Sequence, residues 1–395
     1  MIKHVLLLLG GILSLVIAMG IGRFAYTPIL PHMPISNVVA GLLATTNYAG
    51  YLLGATLTGI IPFKQRRTFY LRISIVISLL TTAAMGLIHV QLVWYILRFI
   101  SGISSAFVFV LSASIMLDQL AKRGKTNWSG FYYGGVGFGI FLTGVLVPEL
   151  IDHFNWEGAW LGLAVLSVAF SAVVWIWLKD DHYYNERGAN KEQARQVPPQ
   201  KWILWLTIAY GLEGFGYIIT GTFIVLIADS IPDFNGNATI VWLVVGLAAI
   251  PSCIIWSTLA NKWGFVKSLI VAMVLQAIGI VFPVFLMSKT GLVISAILFG
   301  ATFMGITAIV TTLARHMYPA NSSRVIGSLT AVYAVGQMIG PTIAGLLAAI
   351  TNNFDGALLF AASVILLGSV LLVNGIHFER KTTSNICQTE MNARL

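Results

Sequence analysis

The sequence predicts an all-α membrane protein of twelve transmembrane helices, arranged as two six-helix pseudo-repeats. Three observations support this fold class: the composition, a succession of apolar runs, and glycine spacings that recur in the second half. Hydrophobic residues make up 57% of the chain and charged residues only 9%, and the mean hydropathy is +0.86. Soluble domains carry about 25% charged residues, so the composition indicates that the solvent of this chain is the lipid bilayer.

Twelve apolar runs divide the chain into two sets of six. Each is long enough for the roughly 20 helical residues that cross a hydrocarbon core of about 30 Å. The first run continues through Gly22 to Leu30 without a cleavage site, so we expect a retained helix rather than a signal peptide. The runs lie at about 5–31, 38–62, 69–88, 91–117, 128–150 and 157–178, and at about 202–228, 238–260, 266–287, 291–314, 325–350 and 356–377.

Polar segments set the predicted domain boundaries. The N-terminal half occupies 1–178 and the C-terminal half occupies 202–378. A linker at 179–201 joins them, and a polar tail follows at 379–395. The charges of the linker and its Pro198-Pro199 pair are typical of a flexible connection.

Glycine spacings recur between the two halves. The first-half set and the second-half set are separated by a constant 201 residues: Gly135, Gly139 and Gly144, matched by Gly336, Gly340 and Gly345. Shorter echoes are Gly102-Ile103-Ser104 with Gly305-Ile306-Thr307, and Gly20-x-Gly22 with Gly214-x-Gly216. Internal duplication of a membrane bundle is typical of secondary transporters, whose substrate sites lie between the repeats. We expect Gly102, Gly135, Gly139, Gly336, Gly340 and Pro341 to serve helix packing.

Basic residues are concentrated on one side of the predicted membrane. Of the 23 lysines and arginines, 20 fall on that side, and Lys289 falls on the other. The positive-inside rule makes the basic side cytoplasmic. We therefore expect a multi-pass membrane protein with both termini in the cytoplasm. The net charge of +9 does not indicate nucleic-acid binding, because the basic residues lie in short loops between apolar runs.

Glu213 is the acidic residue that is not assigned to a loop at the end of an apolar run. It falls about 18 Å from the cytoplasmic end of the seventh run at 1.5 Å per residue, near the middle of the bilayer. Burial favours the neutral carboxyl, which can ionise when water or a cation reaches it. That behaviour is what a proton-coupled carrier requires. A glutamate bonded permanently to a neighbouring helix is the alternative.

Arg98 and Arg23 are the basic residues that are not assigned to the loops at the ends of the apolar runs. Arg98 lies roughly 10 Å deep and shares a helix stripe with Gly102 and Ala106, which favours a protein-facing position. Arg23 lies within Gly20 to Pro31, where two glycines and two prolines weaken the helix. Its planar guanidinium suits a carboxylate or a phosphate. For both residues, snorkelling of the side chain to the membrane surface is the alternative.

The repeat places Arg23 opposite Tyr217, one helical turn from Glu213. We therefore expect Arg23 and Glu213 to face a shared central cavity, in which a substrate anion and a proton compete for them. Whether the two residues pair directly stays open. Tyr26, within the same Gly20 to Pro31 segment, is a further candidate. Polar and aromatic residues complete the plausible lining, with interhelical hydrogen bonding as the alternative for each: Asn47, Tyr48, Tyr51, Gln276 and Gln337.

Twelve spans in two halves with a polar linker resemble the major facilitator superfamily. Arg98-x-x-x-Gly102 resembles its fourth-helix arginine motif, which is linked there to proton coupling. Ser257 to Gly264 resembles the second-half copy of its cytoplasmic gating loop, with Asn261 and Lys262 at the usual acid and base positions. The first-half copy lacks the expected glycine and aspartate before Lys64, Arg66 and Arg67.

Two further segments narrow the resemblance. Gly20 to Pro31 and Tyr210 to Tyr217 are similar to the signatures of the YbfB/YjiJ group of bacterial transporters. Gly336-x-x-x-Gly340-Pro341 resembles the Gly-Pro motif of exporters, although it lies in the eleventh run, and the fifth run has Ile140 at the proline position. The resemblance implies a carrier of the bacterial inner (cytoplasmic) membrane and does not identify the transported molecule.

The sequence therefore predicts a proton-coupled secondary transporter of a small molecule that works by alternating access. Export is favoured by the Gly-Pro motif, and uptake of a small organic anion, favoured by Arg23 and Arg98, is the rival. A membrane enzyme is disfavoured because the seven histidines show no metal-like spacing, and no Walker loop supports an ATP-driven pump. We expect no cofactor or metal; the expected partners are substrate, protons and lipid, and the functional unit is a monomer.

Overall fold

The computed structural model describes residues 2–61, 66–125, 128–179, 200–234, 236–317 and 322–376, among which the regular secondary structure is helical with no strand. The N-terminal half contains α1 (Ile2–Leu15), α2 (Tyr26–Ile29), α3 (Asn37–Ile60), α4 (Arg67–Leu87), α5 (Gln91–Lys122) and α6 (Ser129–Trp177). The C-terminal half contains α7 (Gln200–Asp229), α8 (Ile240–Trp263), α9 (Phe265–Phe285), α10 (Lys289–Met317), α11 (Ser322–Thr351) and α12 (Asp355–Leu371). Residues 180–199 of the predicted linker and the whole predicted tail at 379–395 lie outside the described residues.

The first apolar run is not one regular α-helix. A nine-residue π-helix, Val16–Phe24, follows α1 and leads through Ala25 into α2 and a short 3₁₀ turn at Leu30–His32. The sequence predicts weakening only from Gly20 onward, whereas the π-helical backbone begins four residues earlier at Val16. π-Helical turns are rare and frequently lie at functional sites.

Within the described residues, eleven helical segments are long and apolar enough to cross a membrane. One of them, α6, has 49 residues and would be about 74 Å long as a straight helix, more than twice the hydrocarbon thickness. It is interrupted at Asn155, whose φ of 59° and ψ of −172° are not helical. The apolar runs at 128–150 and 157–178 lie on either side of this break.

The first span and α7 are the most deeply buried of the described spans. Thr27 joins them directly, because its Oγ1 donates a hydrogen bond of 2.7 Å to the Gly221 carbonyl. Large apolar side chains on the outer helices are exposed, as expected for a surface in contact with lipid, and examples are Ile60, Val165, Phe285 and Ile350.

Two outer helix pairs also join the halves: α6 packs against α8, and α3 packs against α11. Thr45 Oγ1 on α3 donates to the Met338 carbonyl of α11 at 2.7 Å. Trp242 Nε1 on α8 donates to Thr143 Oγ1 of α6 at 3.1 Å.

The predicted packing glycines lie at close helix contacts. A Cβ at Gly139 would lie 2.7 Å from the Gly20 Cα, and one at Gly135 would lie 3.0 Å from the Ile12 carbonyl oxygen. In the second half, a Cβ at Gly340 would lie 2.7 Å from the Phe215 carbonyl oxygen. The same type of contact therefore joins α6 to the first span and α11 to α7. Further close approaches bring Gly102 against Asn47, Gly336 against Gly211, and Pro341 against Gly41.

Replacement of Gly139 by valine is expected to lower the free energy of unfolding by about 1–3 kcal/mol, the usual cost of overpacking. The added side chain meets the backbone of the π-helix, which has no flexible group that can yield. The same substitution at Gly59, where an added Cβ would have no neighbouring atom within 4 Å, is the matched control. Thermal unfolding of purified protein in detergent measures both, and equal midpoints for the two variants would contradict the prediction.

Candidate functional site

The π-helix is held by hydrogen bonds from α5. Arg98 Nη1 donates to the Gly22 carbonyl at 3.3 Å, and Arg98 Nη2 donates to the Arg23 carbonyl at 3.4 Å. Ser101 Oγ donates to the same Gly22 carbonyl at 3.0 Å. A Cβ at Gly22 would lie 2.8 Å from the Ser78 hydroxyl oxygen, so glycine permits this close packing. Arg98 thus fixes the backbone from which the Arg23 side chain projects.

Arg98 lies inside the bundle, with only 1% of its surface exposed. Its guanidinium carbon lies 4.7 Å from the centre of the Tyr26 ring, and the Tyr26 hydroxyl donates to the Ala40 carbonyl at 3.0 Å. Asn47 Nδ2 donates to the Arg98 carbonyl at 2.9 Å. These contacts place Arg98 against protein, as its stripe of small residues predicts, rather than at the membrane surface.

Arg23 is also buried, with 3% exposure, and aromatic rings surround its charge. Its guanidinium carbon lies 4.3 Å from the Tyr51 ring centre, 4.7 Å from that of Tyr48 and 5.3 Å from that of Phe24. A cation over an aromatic face is attracted by the ring quadrupole. Arg23 Nε and Nη2 nevertheless have no hydrogen-bond partner. The aromatic rings thus compensate the charge of Arg23 in part, and two of the nitrogen donors of its guanidinium group have no partner.

Two positive charges therefore lie close together in the core of the N-terminal half. Arg23 is an electrostatic neighbour of Arg98, and the other titratable neighbours of the two residues are tyrosines. No carboxylate of the described residues pairs with either guanidinium. Buried charges are ordinarily paired, so this site is short of negative charge.

Glu213 lies on α7 with 0% exposure. Its polar neighbours are Gln276 of α9 and Tyr333 of α11, but neither carboxyl oxygen has a hydrogen bond within normal geometry. Gln276 Nε2 and Oε1 also lack partners. A buried carboxyl and a buried amide thus lie near each other, each with unused donor or acceptor atoms.

Arg23 and Glu213 do not form an ion pair. Tyr217 and Tyr333 are electrostatic neighbours of Arg23, and Tyr333 is also a neighbour of Glu213. The rings of the two tyrosines stack, with centres 5.5 Å apart and planes 14° apart. Gln337 donates a hydrogen bond to the Tyr217 hydroxyl. The predicted residues Arg23, Tyr217, Glu213 and Gln337 thus belong to one connected cluster.

Sequence reasoning missed the aromatic part of this cluster. The missed residues are rings from both halves: Phe24, Trp242, Phe299, Phe303 and Tyr333. Aromatic residues make up 12% of the chain, so no single ring stands out in the sequence. The constant glycine spacing offers one signal, since 201 residues separate Tyr333 from Tyr132, another buried tyrosine.

The predicted gating-loop residues lie apart from this cluster. Asn261 and Lys262 are exposed near the end of α8. Gly264, with φ of 96°, makes the left-handed turn into α9 that favours glycine. In the first half, Arg67 Nη1 lies 2.6 Å from Asp118 Oδ2 of α5, while Lys64 lies outside the described residues. Asp118 thus supplies an acid partner that the loop sequence itself lacks.

In the described part of the chain, no group of three histidine, cysteine, aspartate or glutamate side chains is placed to hold a metal ion. The chemistry of the cluster therefore comes from two guanidiniums, one carboxyl, amides and aromatic rings. Such groups bind, orient and exchange protons. The arrangement suits recognition of a small molecule within the bundle.

Comparisons with known proteins agree with this description. The chain is 23% identical over 399 residues to an uncharacterized MFS-type transporter of Enterobacter sp. (strain 638), covering 96% of each chain. It is 24% identical over 313 residues to monocarboxylate transporter 13 of Bos taurus, covering 76% of this chain and 70% of that one. The fold matches the crystal structure of the nucleoside transporter NupG with a TM-score of 0.71 at 13% identity, over 95% of this chain and 99% of that chain.

The family model described as uncharacterised MFS-type transporter YbfB matches residues 15–373. The homologues and structural neighbours of the chain are transporters rather than enzymes, which confirms the prediction of a transporter. The resemblance carried by Gly20 to Pro31 and Tyr210 to Tyr217 is likewise confirmed. The chain is therefore a multi-pass membrane protein that belongs to the YbfB family of MFS-type transporters.

Proposed function

We propose that this protein is a proton-coupled secondary transporter that carries a small organic anion by alternating access between two six-helix halves. The observation that carries the proposal is the buried pair Arg23 and Arg98, which has no carboxylate partner among the described residues. A bound anion would supply the missing negative charge, and a guanidinium suits a carboxylate. One relative is named a monocarboxylate transporter, and that name agrees with an anionic substrate.

Glu213 is the proposed proton carrier. A charge at this depth is costly unless it is paired, and its neighbours Gln276, Tyr333, Tyr210 and Tyr217 carry no cation. In the closed protein the neutral form of the Glu213 carboxyl is therefore favoured. In an open state, entry of water allows the Glu213 proton to leave. Tyr333 would relay the state of Glu213 to Tyr217 and Arg23, so that anion binding and protonation are linked.

The proposed topology has twelve spans. The break at Asn155 divides α6 into two segments of spanning length, which raises the eleven candidate spans to twelve. An even number places both termini on one side, and the basic loops make that side cytoplasmic. The equivalent glycine contacts of α6 with the first span and of α11 with α7 support two repeats. We propose the bacterial inner membrane as the location and a monomer as the functional unit.

The Gly-Pro motif gives less information about the direction of transport than the sequence suggests. Gly336 and Gly340 lie against α7, and Pro341 lies against Gly41 of α3. Helix packing therefore accounts for these residues in an exporter and in an importer alike. A flux measurement distinguishes export from uptake, because it shows which orientation of the pH gradient drives net transport.

Counterflow in proteoliposomes tests the proposed function. Vesicles loaded with unlabelled carboxylates are expected to accumulate the labelled form of an accepted anion, and an applied pH gradient is expected to drive its net movement. Protein-free vesicles give the passive background, because neutral weak acids cross lipid unaided. A panel that also contains nucleosides provides the contrast: exchange of nucleosides but of no carboxylate would contradict the proposal.

A further inference from the structure

Aromatic rings from both halves gather around Arg23. Tyr48 and Tyr51 of α3 lie against its guanidinium, and Tyr217 and Tyr333 of the C-terminal half are its neighbours. The unpartnered donors, Nε and Nη2, form one edge of the planar group. That edge matches the two oxygens of a carboxylate in a bidentate pair. The free edge of the Arg23 guanidinium therefore favours a ligand that carries a carboxylate.

The rings of the C-terminal half share nearly one orientation. Tyr217 and Phe303 have planes 9° apart with centres 6.0 Å apart, and Phe299 and Phe303 have planes 8° apart with centres 5.3 Å apart. Tyr333 continues the series beyond Tyr217, with planes 14° apart. We call these four residues the ring series. Helices α7, α10 and α11 contribute to it.

Phe24 connects the ring series to Arg23 across the contact between the halves. Its ring centre lies 6.4 Å from that of Phe303 and 6.2 Å from that of Trp242 on α8. Phe24 is also the next residue in the chain after Arg23. A ligand held by the Arg23 edge would thus meet flat aromatic surfaces of the opposite half, where the substrate sites of duplicated transporters lie.

We propose that the ligand is a planar aromatic carboxylate, with its carboxylate on Nε and Nη2 of Arg23 and its ring against the ring series. This inference rests on the proposed anion transport and names the class of anion. An aliphatic acid would satisfy Arg23 equally well. Only a flat ring gains the offset-stacked or edge-to-face contacts that aromatic pairs prefer, so the ring series determines the specificity.

Isothermal titration calorimetry of the purified full chain in detergent, with benzoate and cyclohexanecarboxylate, tests the inference. Both probes carry one carboxylate on a six-carbon ring and are ionised at neutral pH, but only benzoate is planar. Benzoate is expected to bind up to roughly tenfold more tightly, as aromatic contacts allow. Phe303→Leu is expected to remove most of this difference. Phe285→Leu, at a position that is 81% exposed, is the matched control and keeps the difference.

The outcomes separate this inference from the proposed function. Equal affinities of the two acids for the wild-type protein would overturn the aromatic preference, while carboxylate counterflow would still support anion transport. Failure of both acids to bind would overturn the anion site itself. If Phe303→Leu does not fold, the comparison of the two acids on the wild-type protein decides alone.

Discussion

Glu213→Gln is expected to abolish the protein-dependent accumulation driven by a pH gradient, above that of protein-free vesicles, while leaving substrate exchange in place. Glutamine has nearly the same shape as the neutral acid and can occupy the site beside Gln276 and Tyr333, but it cannot release a proton. Each coupled proton contributes about a tenfold accumulation ratio per unit of pH gradient, and the variant loses this whole factor. Exchange needs only the reorientation of loaded carrier, which the neutral side chain permits.

The measurement is uptake of labelled benzoate, or of the carboxylate that the counterflow panel identifies, with and without a pH gradient. Glu149→Gln is the matched control, because Glu149 is an exposed carboxylate on α6. It should behave as the wild-type protein does in both assays. Gradient-driven accumulation above the protein-free background that survives in Glu213→Gln would remove Glu213 from the coupling role.

Arg23→Gln is expected to weaken anion binding by roughly a hundredfold, the value of two charge-assisted hydrogen bonds. The variant should stay folded, because it removes a buried charge that has no carboxylate partner among the described residues. Arg23→Lys keeps the charge but not the planar two-donor edge, so an intermediate affinity is expected. Calorimetry with benzoate measures all three proteins, and thermal unfolding verifies the fold.

The matched control for Arg23→Gln is Arg66→Gln, since Arg66 is exposed outside the core. It should bind the anion as the wild-type protein does. If the affinity of Arg23→Gln lies within about twofold of the wild type, the lost binding free energy is less than that of one ordinary hydrogen bond. Such a result would assign the Arg23 side chain to packing against Tyr48 and Tyr51.

The charged part of the candidate site was predictable from the sequence, because a charge within an apolar run is costly and therefore conspicuous. Arg23, Arg98 and Glu213 stand out on this basis, and the structure buries all three. The ring series was not predictable, because an aromatic residue in an apolar run looks the same whether it faces lipid or a site. Only tertiary contacts distinguish Phe303, which is buried, from Phe285, which is exposed.

The helical class and the family were also predictable, whereas two local features of the backbone were not. The π-helix begins at Val16, within a uniformly apolar segment whose periodicity does not distinguish one helix type from another. The bonds from Arg98 that hold it come from a residue more than 70 positions away in the chain. Similarly, apolar composition does not show that two predicted runs meet at Asn155 in one interrupted helical segment.

The most direct test of the proposed coupling is the proton movement that accompanies anion movement in proteoliposomes containing an internal pH indicator. With the wild-type protein, addition of the transported carboxylate outside is expected to acidify the interior above the protein-free background, in proportion to labelled uptake. Glu213→Gln is expected to exchange the anion without this acidification. Equal proton movement in Glu213→Gln and wild type, or anion uptake by the wild type without proton movement, would contradict the account.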